Sequence, residues 1–425
     1  MIILLTGPSG FIGSHLSRAL TAAGHVVIRA TRHPSAAGHD IQADFASDVH
    51  VRDWLPKLAG VNAVINTVGI FRESGRQTFE RLHTQAPQAL FAACVAARVR
   101  RVIHFSALGA DTGTTRYFES KRAGDQFLEQ MPLEWTIVQP SLVYGPGGVS
   151  ARLFTMLASL PLIALPGRGE QLVQPVHIDD LTEAIVHLLT DQDTTRHRVP
   201  IVGPQPLTLR EFLHQLRRAL GLGDARFIRM PMPWVRLAAR ISGTLRLSLL
   251  DRDALTMLEA GNTGDAAPMR RLLRRPPRAV SAFVDRENAA SVAAAARLQW
   301  LLPLLRVSVA AVWIWTGIVS LGLYPQEQSY ELLARTGITG GLAPLMLYGA
   351  AVLDLALGMG TLLLRRRRWL WQVQLALILF YTVIISLRLP EFWLHPYGPL
   401  LKNLPMLACI YLLYCFEDRP WNTSS

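Results

Sequence analysis

The stretch "RYFESK", residues 116–121, sets Tyr117 four residues before Lys121. On a helix the two side chains share a face, about one turn apart. A phenol near pKa 10 is a poor acid or base at neutral pH. A neighbouring ammonium favours the phenolate and lowers that value, which makes proton transfer with a carbonyl oxygen practicable. Nine tyrosines and three lysines in 425 residues give about 0.06 such pairs by chance. The pair therefore reads as chemistry, with Tyr117 as proton donor and Lys121 as its activator and ribose ligand. Ser106, at the end of the apolar run "RRVIHFS", is placed to hydrogen-bond a substrate carbonyl.

The N-terminal residues offer a seat for a dinucleotide. Ile2 to Leu5 form an apolar run that ends at Thr6-Gly7, and Gly7, Gly10 and Gly13 follow as G-x-x-G-x-x-G where a helical pattern begins. A tight turn, a close approach of backbone to pyrophosphate and close helix–strand packing each call for a glycine, with the phosphates at the helix N-terminus. The second apolar strand ends at Thr31-Arg32. An acidic residue there would hold a ribose 2′-hydroxyl, whereas arginine pairs with a 2′-phosphate, so NADP(H) is expected over NAD(H). Asp44, after "IQA", is placed to meet the adenine edge.

These residues need a scaffold. The pattern strand, turn, helix repeats through "HVVIRATR", "NAVINTVG", "RRVIHFSALG" and "EWTIVQPSLV". Such alternation predicts an α/β, Rossmann-type doubly wound parallel sheet covered on both faces. We place this domain at 1–206 and the C-terminal part of a small substrate lobe at 207–295. Within the lobe, "MPWVRLAARISGTLRL" (232–247) reads as a lobe helix, with a helix resting on a membrane surface as the alternative.

Half the chain is hydrophobic and 17% is charged, so two unlike parts are expected. The net charge of +12 comes almost entirely from arginine. Arginines gather from Arg270 to Arg278 and from Arg365 to Arg368, close to apolar runs, which points to the inner face of a membrane. No aromatic–basic patch or reading helix is evident, which sets a nucleic-acid role aside. Cys94, Cys409 and Cys415 form neither a metal spacing nor a disulfide framework, as in a reducing compartment, and no metal is expected. The first residues read as a buried strand and not as a signal peptide.

Four apolar runs occupy the last third: Val307 to Pro325, Leu342 to Leu364, Trp369 to Leu387 and Pro399 to Phe416. Their lengths suit helices that cross a bilayer, so an all-α four-helix transmembrane domain is expected at 296–425. Arg365 to Arg368 lie between the second and third runs, while the loop before the second holds only Arg335. Basic loops mark the cytoplasmic side. The expectation is a multi-pass inner-membrane protein with its Rossmann domain and both termini in the cytoplasm. Asp354 sits inside the second run, where charge is costly, and Lys402 or Arg306 is the expected partner.

In order, "TGPSGFIGSHL", "VINTVG", "HFSALGA", "YFESK", "QPSLVYGPGG" and "VHIDDLTEAI" resemble the short-chain dehydrogenase/reductase superfamily in its extended or atypical branch. Among its members the chain looks most similar to the NADPH-carrying accessory subunit of respiratory complex I. The resemblance implies that Gly7, Ser9, Gly10, Phe11, Ile12 and Gly13 surround the pyrophosphate and that Arg32 holds the 2′-phosphate. It brings Val68 and Gly69 of "VINTVG" to the cofactor, places Pro140, Ser141, Leu142 and Val143 at the nicotinamide end, and makes Ser106, Tyr117 and Lys121 a catalytic triad. "LRVSVAAVWIWTGIVSL", "LDLALG" and "LLKNLP" resemble the DoxX-like membrane family, whose members are associated with quinone-linked or redox processes.

The expected function is NADPH-dependent reduction of a carbonyl or quinone-like substrate, small or lipid-soluble, by a membrane-anchored oxidoreductase. The alternative is a non-catalytic NADPH-bound assembly or redox-sensing module of a respiratory or other membrane complex. The Tyr117/Lys121 pair favours the enzyme.

Overall fold

Seven segments form strands: β1 (Ile2–Thr6), β2 (Val26–Thr31), β3 (Asp40–Gln42), β4 (Ala63–Asn66), β5 (Arg101–Phe105), β6 (Glu134–Pro140) and β7 (His197–Ile201). They pair in one parallel sheet ordered β3-β2-β1-β4-β5-β6-β7. Ile3, Leu4 and Leu5 of β1 and Ala63, Val64 and Ile65 of β4 are all fully buried. Consecutive residues point to opposite faces, so a run of this kind has to be covered on both sides. One face packs with Leu16, Leu20, Ile185 and Leu188, the other with Trp54, Leu90 and Phe91. The strand order reverses between β1 and β4, and ligands of such sheets bind outside the carboxyl ends at that reversal.

This computed structural model describes residues 1–35, 39–245 and 252–417. The chain divides into two compact units, Met1–Ala294 and Ala295–Ser425. Three helices of the first unit carry the site: α1 (Phe11–Ala22), α2 (Ala86–Ala96) and α3 (Arg116–Glu129). The Thr115 side chain accepts from the Phe118 N–H at 3.3 Å and so starts α3. Before α2 the chain makes a wide helical turn, Glu80–Gln85. Pro87 lacks an N–H for the His83 carbonyl four residues back, and its ring crowds that carbonyl, which accounts for the widening. Gly124 of α3 approaches the same carbonyl, where a Cβ would sit 2.5 Å from the oxygen.

A smaller lobe packs around Phe212 and Leu213, from the helix Leu209–Ala219, and Ala158. Of the 232–247 stretch, a helix Met232–Leu245 is described, and Trp234 on it is exposed. Residues 246–247, and the side chains from 239 onward, lie outside the described residues. Three arginines of the Arg270–Arg278 cluster are engaged within the chain. Arg271 pairs with Asp191 and Asp193, Arg275 with Asp180 and Glu183, and Arg278 with Asp179 and Asp180. These arginines are counter-ions to the acidic helix Ile178–Leu188 and the turn after it.

Among the described residues three helical stretches are long and apolar enough to cross a membrane: Ala289–Leu323, which begins in the first unit, and Leu342–Leu363 and Arg368–Arg388 in the second. The fourth expected span is shorter. Gly398 takes a left-handed φ of 52°, and the helix runs only from Asn403 to Phe416. Its 14 residues give about 21 Å, short of a hydrocarbon core of about 30 Å. Small residues bring the first two stretches together: a Cβ on Gly317 would meet the Ala351 carbonyl at 2.8 Å, and one on Gly358 the Ala310 carbonyl at 3.0 Å. A buried polar seam links three helices, with Trp313 Nε1 donating to Gln374 Oε1 (3.0 Å) and Gln374 Nε2 donating to Thr361 Oγ1 (2.8 Å). Asp354 is buried, and its Oδ1 has no hydrogen-bond partner. Neither expected partner meets it, since Arg306 turns to Glu417 and Lys402 is exposed.

Candidate active site

The glycine turn shows why each glycine stands there. Gly7 has φ +72°, a left-handed value that side chains with a Cβ rarely adopt. A Cβ on Gly13 would lie 2.1 Å from the Gly7 carbonyl oxygen, so α1 can leave β1 this closely only with glycine. Gly10 differs: it is exposed, and a Cβ there would fill the space over the turn, meeting only the Gly7 carbonyl at 3.3 Å. Gly10 is also the N-cap of α1, with no side-chain cap and no acidic residue in the first turn. Helix N–H groups without a cap, next to an open glycine, make a seat for a pyrophosphate. Ser9 is exposed on the turn, while Phe11 and Ile12 open the helix and pack against the core.

Arg32 follows the end of β2, is exposed and makes no ion pair among the described residues. Asp44 stands two residues beyond β3, where its Oδ1 accepts from the Ala46 N–H at 3.0 Å and fixes the turn. Both are at the carboxyl edge of the sheet, on the side reached from the glycine turn.

At the end of β4 the chain passes under Lys121. Lys121 Nζ donates to the Phe105 carbonyl at 2.9 Å and to the Val68 carbonyl at 3.4 Å. A Cβ on Gly69 would sit 3.1 Å from that nitrogen, so a larger residue would push the ammonium aside. The ammonium has three donors, of which two are used, leaving one for a ribose hydroxyl. Val68, Gly69 and Lys121 are thus together, at the reversal point of the sheet.

Tyr117, one turn before Lys121, is buried in an aromatic box. Phe71 stacks on it at 5.0 Å, and Phe79, His83 and Phe118 close the other sides. The expected lowering of its pKa is not found: burial, aided by the Asp125 charge, pushes the phenol up. Lys121 is itself buried, and burial lowers its pKa while Asp125 raises it.

Ser106 has a different partner from the one expected. Its hydroxyl donates to Asp125 Oδ2 at 2.5 Å, two turns along α3 from Tyr117. Pro140 to Val143 stand at the carboxyl end of β6. There Ser141 Oγ donates to the Gln174 carbonyl (2.6 Å) and the Leu142 N–H to Asn262 Oδ1 (2.9 Å).

Sequence reasoning missed the buried network beneath this surface. Thr6 Oγ1 donates to Asn66 Oδ1 (2.7 Å), and Asn66 Nδ2 faces His104 Nδ1 (3.1 Å). His104 Nε2 lies 3.4 Å from Asp125 Oδ1. Burial raises the Asp125 pKa, and the hydrogen bond from Ser106 and the Lys121 charge hold it back. The spacing Tyr117, Lys121, Asp125 is i, i+4, i+8, and that signal was available. His83 gave no signal: it reaches Tyr117 through the wide turn before α2. Its Nε2 accepts from the Ile70 N–H at 3.0 Å, so its proton is on Nδ1, toward Ser120 Oγ at 2.8 Å. Ser120 in turn donates to the Tyr117 carbonyl at 2.8 Å.

Comparison with known proteins finds matches for both parts of the chain. Residues 3–202 match the NAD dependent epimerase/dehydratase family, and residues 310–411 match the DoxX-like family. The chain thus joins an NAD-binding domain of the epimerase/dehydratase type, within the short-chain dehydrogenase/reductase fold, to a C-terminal DoxX-like domain. It is similar to a ceramide reductase of Caulobacter vibrioides, with 25% identity over 56% of this chain and 77% of that protein. It is also similar to NADH dehydrogenase [ubiquinone] 1 alpha subcomplex subunit 9 of Mus musculus, with 26% identity over 55% of this chain and 64% of that one. UDP-glucuronic acid 4-epimerase from Bacillus cereus, solved with UDP-glucuronic acid and NAD, shares the fold at 17% identity. Its TM-score is 0.51, over 71% of this chain and all of the other.

Proposed function

We propose that the chain is an NADPH-dependent reductase that acts on a carbonyl or quinone-like group of a lipid-soluble substrate at the membrane. The epimerase/dehydratase-type domain makes it an oxidoreductase-type protein, and the DoxX-like domain associates it with the membrane. The observation that carries the finer reading is Lys121, held one turn from Tyr117 and against Gly69 at the reversal of the sheet. A relative named for reducing a ceramide supports a lipid-borne substrate. Arg32, unpaired at the end of β2, supports NADPH.

When bound, the dinucleotide supplies a hydride for the carbonyl carbon. The residues of this chain manage the rest. The glycine turn and the start of α1 hold the diphosphate, and the third Lys121 donor binds the nicotinamide ribose. Tyr117 gives its proton to the carbonyl oxygen. Its phenol is protonated at neutral pH, as a donor must be, although burial makes it a weaker acid than a free phenol. Ser106 and Asp125 hold α3 against β5 from below.

The enclosure of Tyr117 favours a second reading, in which NADPH is a structural group of a membrane assembly. NADPH oxidation by membrane vesicles with lipid-borne ketones and quinones separates the two. The reductase reading expects Tyr117→Phe to lower turnover by about a hundred- to ten-thousandfold and to spare cofactor binding. Lys121→Ala should impair both. Equal activity in wild type and Tyr117→Phe would establish the structural reading instead.

A further inference from the structure

At one end of the second unit, three segments distant in sequence converge on a carboxylate. Glu417, buried after the helix Asn403–Phe416, pairs with Arg367 Nη1 at 3.2 Å and Arg306 Nη2 at 3.8 Å. It also accepts from Trp371 Nε1 at 3.0 Å. Arg365 and Arg366 are exposed on the adjoining turn, and Arg368 lies over the Tyr414 ring. Among the described residues, five arginines gather here around this one acid. Its oxygens are already shared, and the buried Nε groups of both Arg306 and Arg367 have no acceptor. The opposite ends of the same helices differ: Arg335, Arg388 and Lys402 are matched there by Glu327, Glu331 and Glu391, with Arg335 and Glu391 directly paired.

We propose that this arginine end binds the phosphate headgroup of an anionic membrane lipid. A planar guanidinium matches the paired oxygens of a phosphate, and two or three together supply the charge that Glu417 does not. Two features choose a lipid over free phosphate. Trp369 is exposed beside the cluster, as aromatic residues are at the level of lipid headgroups. Leu362 and Leu363, exposed on the last turn of Leu342–Leu363, leave an apolar wall along which acyl chains can lie. The site rests on the reading that these helices cross a bilayer.

The test uses the full chain in detergent, titrated with short-chain phosphatidylglycerol, phosphatidylcholine of equal chain length, and inorganic phosphate. Native mass spectrometry counts the bound molecules. Phosphatidylglycerol is expected to bind at least tenfold more tightly than either control. Arg306→Gln and Arg366→Gln should each weaken it about fivefold. The exposed Arg366 guards against misfolding, and an unchanged elution profile and melting temperature in detergent certify each variant. Equal binding of both lipids, equal binding of phosphate, or unchanged variants would overturn the site. Alkaline carbonate extraction of vesicles tests the spanning reading separately. Release of the protein would sink that reading, whereas retention without lipid preference sinks only the headgroup site.

Discussion

The ring of Phe71 lies nearly parallel to that of Tyr117, with centroids 5.0 Å apart and planes inclined by 19°. Phe71 itself is 73% exposed, while Tyr117 is 7% exposed. One residue is thus the lid of the other, held by a stack and little else. Phe71→Ala should cost about 1 kcal/mol or less in stability, because little of the ring's surface is lost from the core. The same change should alter KM for a bulky substrate by severalfold. Steady-state kinetics with substrates of two sizes measures this, and unchanged KM for both would make the ring mere packing.

Arg32→Ala should leave NADH binding intact and weaken NADPH. A charge-assisted hydrogen bond is worth about 1.5–3 kcal/mol, so the preference should fall by about ten- to a hundredfold. Calorimetric titration with both cofactors decides. The same ratio in both proteins would remove Arg32 from the site.

Acid should destabilise the first unit through two buried histidines. Burial brings the His83 pKa down to about 2 and takes His104 well below its usual value. Above pH 6.5 neither the folded nor the unfolded chain carries these protons. Below it the unfolded chain takes them up and the folded one does not, so stability falls as pH falls, and for His83 this continues toward pH 2. The slope is about 1.4 kcal/mol per unit and per histidine. Asp125, whose pKa burial raises, takes up a proton in the folded chain over the same range and offsets about one histidine's share. Melting of the detergent-solubilised protein between pH 7.5 and 5.5 should therefore show the slope of about one histidine, and His83→Gln should remove most of it. An unchanged slope would refute the assignment.

Asp354→Asn should leave NADPH affinity within about twofold, because the side chain belongs to the second unit. The amide keeps the shape and loses the charge, so only a function that needs an ionisable group in the membrane should suffer. A loss of cofactor binding would show coupling between the units.

Reporter fusions test the topology. Fusions in the Arg365–Arg368 turn should report cytoplasm, and fusions between Tyr324 and Leu342 the far side. The helix Asn403–Phe416 makes the C-terminus the discriminating position. A cytoplasmic reporter there means that this short helix also crosses, and an external one that it does not.

Some of this could be read from residues alone. The glycine spacing, the strand runs of β1, β2, β4, β5 and β6 and the Tyr117/Lys121 pair are local patterns, and local patterns survive in sequence. The polar edge strands β3 and β7 carry no such pattern. The membrane runs were legible for the same reason, down to the turn at Arg365–Arg368. The partners of charged groups were not. Arg271, Arg275 and Arg278 find acids some eighty to a hundred residues away, and Ser106 finds Asp125 only because β5 and α3 meet. His83 was hidden by a turn whose width follows from Pro87. The length of the last helix was misjudged because Leu400 and Leu401 extend the apolar run, whereas the helix begins only at Asn403.

The hydrogen bond between Thr361 and Gln374 has a consequence for biogenesis. The two residues are 13 apart and flank the arginine turn, so their helices form a hairpin that satisfies the Gln374 amide before any other segment arrives. A glutamine entering lipid alone would leave its amide unpaired, which favours insertion of the two helices as one step. On the proposed topology the four arginines would then keep the tip of the hairpin on the side where it was synthesised. Trp313, from the earlier helix, donates to the remaining Gln374 oxygen and docks onto a hairpin already made. A ribosome releasing this chain would thus deliver the second and third helices as a pair, with the first recruited sideways.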